Sequence, residues 1–523
     1  MKKLISILIL CIISFEVLAC SKITTKSQLN ILVFTKTAGF RHTSIPEGIK
    51  ALRTLSDEQL WNMTATEDAS FFNPGYLEKI DVVIFMNTTG DILNEKQEKA
   101  FENYIKKGGG FVGIHGATHT ELNWNFYYDL VGAQFEKHPK IQEARLIVHQ
   151  DTKHPAINML DNEWVTTDEW YYFKEPLKSH CKVLLDIDES TIVGSPNSGS
   201  SHPIAWYHEK FNGRVFYTGL GHTNEQYSNP FFIEHLKNGV LWAGKLYDIS
   251  LSNQWINLLD EDLTAWDKYI GVPHTSVDLP FDFPKSDDVT KGTPLGLNND
   301  VLNVFSVGQN KEKENILNIT GEIYGGLTTK HMYQNYHFKC EFKWGEKKWE
   351  PRLGSKRDNG ILFHATGAHA GFWNVWMRSL ECQVQEGDFG DFFPLSGTIA
   401  EIPVVNSPKG KGHVYNSKGV EITSSFLGKH TGGRIQRSKN MENPHGEWNT
   451  VEIYAFGDRA VFVVNGEVVS TLKNTRYETN GIEIPLKGGR LQIQSEAAEC
   501  YYKSIQIKGI DAFPEHIKRI TGW

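Results

Sequence analysis

The stretch GGGFVGIHGATHT, Gly108 to Thr120, runs from a glycine cluster through a short apolar strand into a turn of small residues. Enzymes with an α/β fold place a nucleophile at such a strand-to-helix turn. Here the exposed position of the turn falls to His115, with His119 four residues on. A histidine in that place acts as a general base or as a metal ligand. If the turn continues into helix, His115 and His119 share one face at i and i+4, the spacing that two ligands of one metal need. His222 and a carboxylate such as Glu169 then complete the set. The cofactor on this reading is a divalent metal of unspecified identity. The alternative is a His115 that hydrogen-bonds inside a ligand pocket and binds no metal.

A second set of reactive side chains lies in the other half of the chain. KRDNGILFH carries Arg357, Asp358 and His364, and WNVWMRSLECQVQEGDFG carries Trp376, Glu381, Gln383, Gln385 and Glu386. On a strand, Glu381, Gln383 and Gln385 point to one face and Leu380, Cys382 and Val384 to the other. Polar side chains along one face beside tryptophans describe a carbohydrate cleft as well as they describe a solvated outer face.

The elements that position the first set alternate short apolar strands with amphipathic segments. NILVFT (30–35), DVVIFMN (81–87) and FVGI (111–114) read as buried strands of a parallel sheet. Between the last two, Asn94 and Gln97 form a capping box, and Ala100, Phe101, Tyr104 and Ile105 make an apolar stripe. An open parallel α/β sheet follows over residues 28–246, with ligands beyond the carboxyl ends of its strands. Lys36, Arg41, His42, Asn87 and Glu169 fall at such ends and, with Trp376, are the candidate substrate-binding residues. After residue 253 the pattern changes to many short strands and few helical stripes, which predicts an all-β sandwich to about residue 511. Asn465-Gly466 supplies the two positive-φ residues of a type I′ hairpin.

The chain of 523 residues is too long for one ordinary core, and its net charge of −8 argues against nucleic acid as a partner. Residues 1–20, MKKLISILILCIISFEVLAC, have the form of a signal peptide, and Val17-Leu18-Ala19-Cys20 resembles a bacterial lipobox. An exported protein held to the membrane by a lipid on Cys20 is expected, on the periplasmic or the surface side. An ordinary cut near Ala19 is the alternative. No CxxC pair occurs, so a thiolate zinc site is not expected.

The motifs FTKTAGFRHTSIPEG, ATEDASFF, NTTGDIL, GGGFVGIHGATHT, TDEWYYF, SHPIAWYHE and GRVFYTGLGHT together resemble the trehalose-utilisation, or ThuA-like, family. That family looks like a relative of class I glutamine amidotransferases. His115 stands where those enzymes have cysteine, which excludes thiolate glutaminase chemistry at this position. The motifs WINLLDEDLTAW, KRDNGILFH, SLECQVQEGDFGDF, GEWNTVEIYAFGDRAVFVVNGE and GRLQIQSEAAECYYKSI are similar to the 3-keto-disaccharide hydrolase domain, a concanavalin-like jelly-roll sandwich. The resemblance implies cleavage of oxidised di- or oligosaccharides or glycosides. It makes Arg357, His364, Glu381, Gln383, Glu386 and Glu496 the candidate catalytic residues. A C3 ketone acidifies the C2 proton, so a base removes it and the C1 substituent leaves by β-elimination, with water adding later. Glu381 or His364 is then the base, Arg357 or a divalent cation the enolate stabiliser, and Glu386 an acid or a metal ligand. Two rivals stay open: a non-catalytic glycan-binding lipoprotein, and a glycosidase with two carboxylates acting on unoxidised sugar.

Overall fold

The computed structural model describes residues 26–195, 201–249, 251–408, 410–428, 430 and 432–523. The signal segment and Cys20 lie outside the described residues. Among the described residues no helix is long and apolar enough to cross a membrane.

The first domain is built on one nine-stranded sheet. Its strands are Asn30–Phe34 (β1), Asn62–Thr66 (β2), Val82–Met86 (β3), Gly110–Ile114 (β4), Gln142–Val148 (β5), Glu163–Asp168 (β6), Lys182–Ile187 (β7), Pro203–His208 (β8) and Val215–Thr218 (β9). The order is β2-β1-β3-β4-β9-β8-β7-β5-β6. The first five are parallel. The other four pair antiparallel, so the expected open parallel sheet accounts for about half of the structure. Parallel neighbours need crossover helices. Helices Ile45–Gln59 (α1) and Glu95–Lys106 (α2) supply them for the parallel half. Between Gly132 and Asn229 the described residues contain no α-helix. Buried on both faces, β3 sends Val82, Ile84 and Met86 into one core and Val83 and Phe85 into another. Helix α2 has the predicted capping box and buries Ala100, Phe101, Tyr104 and Ile105.

The two ends of the β5–β6 hairpin do different things. Only Leu146–Val148 of β5 pair with β7. The remaining part, where Gln142 faces Asp168, runs past the end of β7 and carries the residue after β6 over the carboxyl edge of the sheet.

The second domain is an antiparallel sandwich. One sheet contains Asn315–Ile319, Ala498–Gly509, Tyr336–Lys348, Asn449–Phe456, Arg459–Val464 and Glu467–Thr479 as successive neighbours. The other contains Trp266–Ile270 (β10), Gly325–Thr329 (β11), Gly488–Ser495 (β15), Gly360–Thr366 (β12), Arg378–Gln383 (β13) and Phe392–Leu395 (β14), again in neighbour order. Phe338, Phe342, Tyr502 and Phe462 from the first sheet meet Leu327, Ile361, Phe363, Leu380, Cys382 and Ile493 from the second. Asn465 and Gly466 both have positive φ, as the hairpin requires. Beyond the expected boundary, helix Glu515–Thr521 packs Ile517 against Tyr454 and Val461 of the sandwich. The domains touch through helix Pro230–Ala243 (α3), whose buried Lys237 reaches Thr366 at 3.4 Å, and through Gln334, which donates to the carbonyl oxygens of Lys153 and Ile249.

Candidate functional site

In the first domain β1, β3, β4, β6 and β9 all end on the same edge, and the residues that follow them converge there. His42 follows β1, Asn87 β3, His115 β4, Glu169 β6 and His222 β9. One ligand atom each from His42, His115, Glu169 and His222 lies within 4.8 Å of the others. Nε2 of His115 is 3.3 Å from Oε2 of Glu169 and 3.2 Å from Nδ1 of His222. Nδ1 of His222 is 3.1 Å from the same carboxylate oxygen. Glu169 Oε1 faces His138 Nδ1 at 2.9 Å, on the more exposed side of the cluster.

Backbone geometry explains the convergence. His115 has φ of +44°, a conformation rare outside glycine, so the chain turns sharply at the end of β4. The turn is not exposed as the sequence suggests: His115 is fully buried, with Tyr171 packed on its ring at 4.0 Å. The loop carrying His222 is clamped at Gly221. Its N–H donates to Asp168 Oδ2 at 2.7 Å, and its carbonyl accepts from Asn87 Nδ2 at 3.0 Å and the Tyr227 hydroxyl at 3.1 Å. Gly221 has φ of +106°, and a Cβ there would crowd Ile114 and Tyr227.

The electrostatics follow from burial and pairing. Burial, and then the neighbouring His115 and His222, push the His42 imidazolium down to about 3. Burial disfavours charge on Glu169 as well, but hydrogen bonds and charge from His115 and His222 outweigh it and hold the carboxylate below its usual range. Burial likewise opposes the charged form of His222, yet Glu169 raises its pKa overall.

Several expected residues sit elsewhere. His119 stands outside the cluster, its ring 4.8 Å from that of Phe135. The segment His115–His119 is 3-10 helix, in which i and i+4 do not share a face. Lys36 donates to the Ile92 carbonyl, and Arg41 pairs with Glu67 in the half-exposed β1 loop. Asn87 acts on the Gly221 loop rather than on the open face of the site. His138 was not singled out by its sequence context, a short polar stretch after Phe135.

In the sandwich the strand alternation is as expected. Leu380, Cys382 and Val384 enter the core, and Glu381 and Gln383 lie on the opposite face of the β10–β15 sheet. Glu496 follows β15 and bridges Asp358 through the backbone, which brings both carboxyls to that face. Arg352 lies between them: Nη1 is 2.9 Å from Glu496 Oε1, and Nη2 pairs with Asp358 Oδ2. Gln385 Nε2 donates to the same Asp358 oxygen at 2.5 Å. Burial, reinforced by the charge of Asp358, raises both Glu381 and Glu496 well above the ordinary carboxyl range. Burial takes Asp358 up to about 6 against the pull of Arg352. Asp358 belongs to the KRDNGILFH stretch noted as reactive and Arg352 lies just before it, but their link to Glu496 depends on a bridge between distant parts of the chain.

The remaining candidates are displaced from this group. Pairing continues beyond β12 and β13, with Glu386 N–H donating to the Arg357 carbonyl. The period-two alternation therefore turns Arg357 and Glu386 to the side of Asn359 and Val384, where their side chains pair at 3.2 Å. His364 has φ of +49° and is buried, with Nδ1 on the Leu486 carbonyl at 3.2 Å and its ring beside Tyr336. Burial lowers its pKa to about 4. Gln383 is turned back on its own strand, accepting from Val384 N–H and Gln385 N–H. Trp376 is buried and donates to the Gly325 carbonyl; the exposed ring of that aromatic group is Trp373, stacked on Phe372.

Residues 30–243 match the family model ThuA, trehalose utilisation. Residues 254–508 match the model of the 3-keto-alpha-glucoside-1,2-lyase-like domain. No curated protein matches the chain. Among solved structures, a protein from Bacteroides uniformis described as thua-like is 20% identical over 43% of this chain and 93% of its own, with a TM-score of 0.37. A protein from Parabacteroides distasonis described as a glycosyl hydrolase is 13% identical over 49% of this chain and 100% of its own, with a TM-score of 0.26. The chain thus joins two domains, an α/β domain matched by the trehalose utilisation family and an all-β domain matched by the 3-keto-alpha-glucoside-1,2-lyase-like family.

Proposed function

We propose that this is an exported, lipid-anchored enzyme whose sandwich domain cleaves glycosides already oxidised to the ketone at C3. The observation that carries the reading is the set of three carboxyls, Asp358, Glu381 and Glu496, on one sheet face with the guanidinium of Arg352 between two of them. A binding face for neutral sugar has no need of three buried ionisable acids, and burying them is costly.

The chemistry divides among these groups by their protonation. Asp358, with a pKa of about 6, is ionised near neutral pH, and its Oδ1 has no hydrogen-bond partner. It takes the C2 proton. The electrons of that C–H bond pass into the C3 carbonyl to give an enolate, whose oxygen is stabilised by Arg352, where Nε is also without a partner. Collapse of the enolate expels the C1 oxygen, which takes a proton from neutral Glu381. Addition of water to the resulting enone completes hydrolysis; release before that step makes the enzyme a lyase. Trp373, exposed and stacked on Phe372, offers a face for a sugar ring.

The test offers the mature chain a nitrophenyl glucoside and its 3-keto counterpart. Release of nitrophenol from the keto substrate alone supports the reading. Release from the unoxidised glucoside at an equal rate means ordinary two-carboxylate glycosidase chemistry. Release from neither, with binding retained, means a glycan-binding protein.

A further inference from the structure

The geometry points to a second functional centre, in the α/β domain: His42, His115, Glu169 and His222 form a binding site for a first-row divalent transition-metal ion. This inference does not depend on the chemistry assigned to the sandwich.

Three observations carry it. The first is spacing. Ligands about 2.1 Å from a tetrahedral ion stand about 3.4 Å apart, and about 3.0 Å apart when adjacent in an octahedron. The three separations among His115 Nε2, His222 Nδ1 and Glu169 Oε2 are 3.2, 3.3 and 3.1 Å. One ion at a common distance from all three fits without rearranging the backbone.

The second is the direction of lone pairs. Nδ1 of His115 lies 2.7 Å from the Gly219 carbonyl oxygen, which only accepts, so Nδ1 carries the hydrogen. In the neutral ring Nε2 then presents a lone pair toward Glu169, itself an acceptor. These two acceptors and His222 Nδ1 converge on one buried point, which either a hydrogen on His222 Nδ1 or a metal ion ligated by all three satisfies. An imidazole whose far N–H is fixed by a backbone carbonyl is the usual support of a metal-ligating histidine. His42 adds a buried ring with an unpartnered nitrogen, Nδ1.

The third is contrast within the same domain. His180, Cys181 and His208 also lie close together. There, however, His208 Nε2 donates to the Leu130 carbonyl and Nδ1 accepts from Lys210 N–H, so neither nitrogen is left for an ion. Both clusters bring histidines close together, but in the second His208 has no lone pair to spare.

Three imidazoles and one carboxylate favour Zn²⁺, Fe²⁺ or Mn²⁺ over Mg²⁺ and Ca²⁺, which prefer all-oxygen sets. His138, on the other oxygen of Glu169, is then a positioning residue that fixes which carboxylate oxygen faces the ion. Exposed Phe40, with its ring 5.0 Å from that of His42, marks the side from which a ligand reaches the ion.

The experiment is elemental analysis of the purified mature chain, followed by chelation and titration with Co²⁺ read by its visible absorption. The expected result is about one ion per chain and a cobalt spectrum that saturates at one equivalent. Glu169→Gln and His115→Ala are expected to lower retained metal at least tenfold. His119→Ala and His208→Ala, outside the cluster, are expected to retain it. As a check on folding, Zn²⁺ should raise the melting temperature of the chelated wild type and leave that of Glu169→Gln unchanged. A wild-type chain that neither carries metal nor gives a cobalt spectrum overturns the proposal. So does equal loss of metal in His119→Ala.

Discussion

Arg352 and Glu496 are joined by a 2.9 Å ion pair on a sheet face where the same guanidinium also holds Asp358. Both carboxyls are almost fully buried, so neither has water to fall back on. Removing one member of a buried ion group leaves the others uncompensated, at a cost of about 3 kcal/mol. Arg352→Met should therefore lower the urea midpoint substantially, and Arg352→Lys, which keeps charge but loses the two-pronged geometry, should fall in between. An unchanged midpoint in Arg352→Met would show that the two acids are neutral without it and that the pair contributes nothing.

Glu381 is assigned the acid that protonates the leaving group. Glu381→Gln keeps the shape and a donor but cannot deliver a proton. Turnover on the 3-keto glucoside should fall by about 10² to 10⁴, with KM changed far less. The effect should shrink for an activated nitrophenolate leaving group, which needs little protonation, and grow for an alkyl one. Equal loss on both leaving groups would remove Glu381 from the acid role.

Asp358 sets the expected pH dependence. Its pKa stands near 6 in the folded chain, against about 3.9 in an unfolded one. A raised pKa means that the folded state holds the proton more tightly. The associated stability is complete below about pH 4 and is lost as pH rises through about 6. Activity runs the other way, because the base must be ionised: kcat/KM should climb through pH 6 to a plateau. Asp358→Asn should abolish that ascending limb, and a wild-type profile flat from pH 5 to 7 would exclude Asp358 as the base.

How much of this was legible beforehand depended on range. The capping box at Asn94 and Gln97, the alternation from Leu380 to Val384 and the hairpin at Asn465-Gly466 are local, and each formed as its spacing implied. His115, Glu169 and His222 are legible as a group because all three follow strands of one sheet. His119 was misplaced because i, i+4 logic assumes α-helix and the turn is 3-10. His42 was read only as a substrate ligand, because nothing within its own loop shows the ring meeting His115 and His222. The Arg352 group escaped because its defining contact, Asp358 with Glu496, joins strands that no local period relates.

Cys20 offers a test of the anchor. The tail of a lipidated residue contributes about 0.8 kcal/mol per buried CH₂, so losing it should release the chain from the bilayer. Cys20→Ser expressed in a bacterial host should fail to incorporate labelled fatty acid and should leave the membrane pellet. Retention of the label would place the modification at another residue, and a soluble, unlabelled wild type would mean simple cleavage near Ala19.

Gly360 is the position where space around Glu381 can be tested without touching a charge. A Cβ built there would collide with Oε1 of Glu381 and Oε1 of Gln494. The residue is buried on β12, directly in the sheet, so the backbone has little room to retreat. Gly360→Ala should cost about 1–3 kcal/mol from overpacking and should displace the Glu381 carboxyl, lowering turnover as well. The double variant Gly360→Ala/Glu381→Ala removes the nearer of the two obstacles and leaves Gln494, so its destabilisation should be smaller than the sum of the two single effects while activity stays lost. Additive destabilisation in that cycle would mean that the two side chains do not compete for the same volume, and Glu381 would then be held on this face by its strand alone.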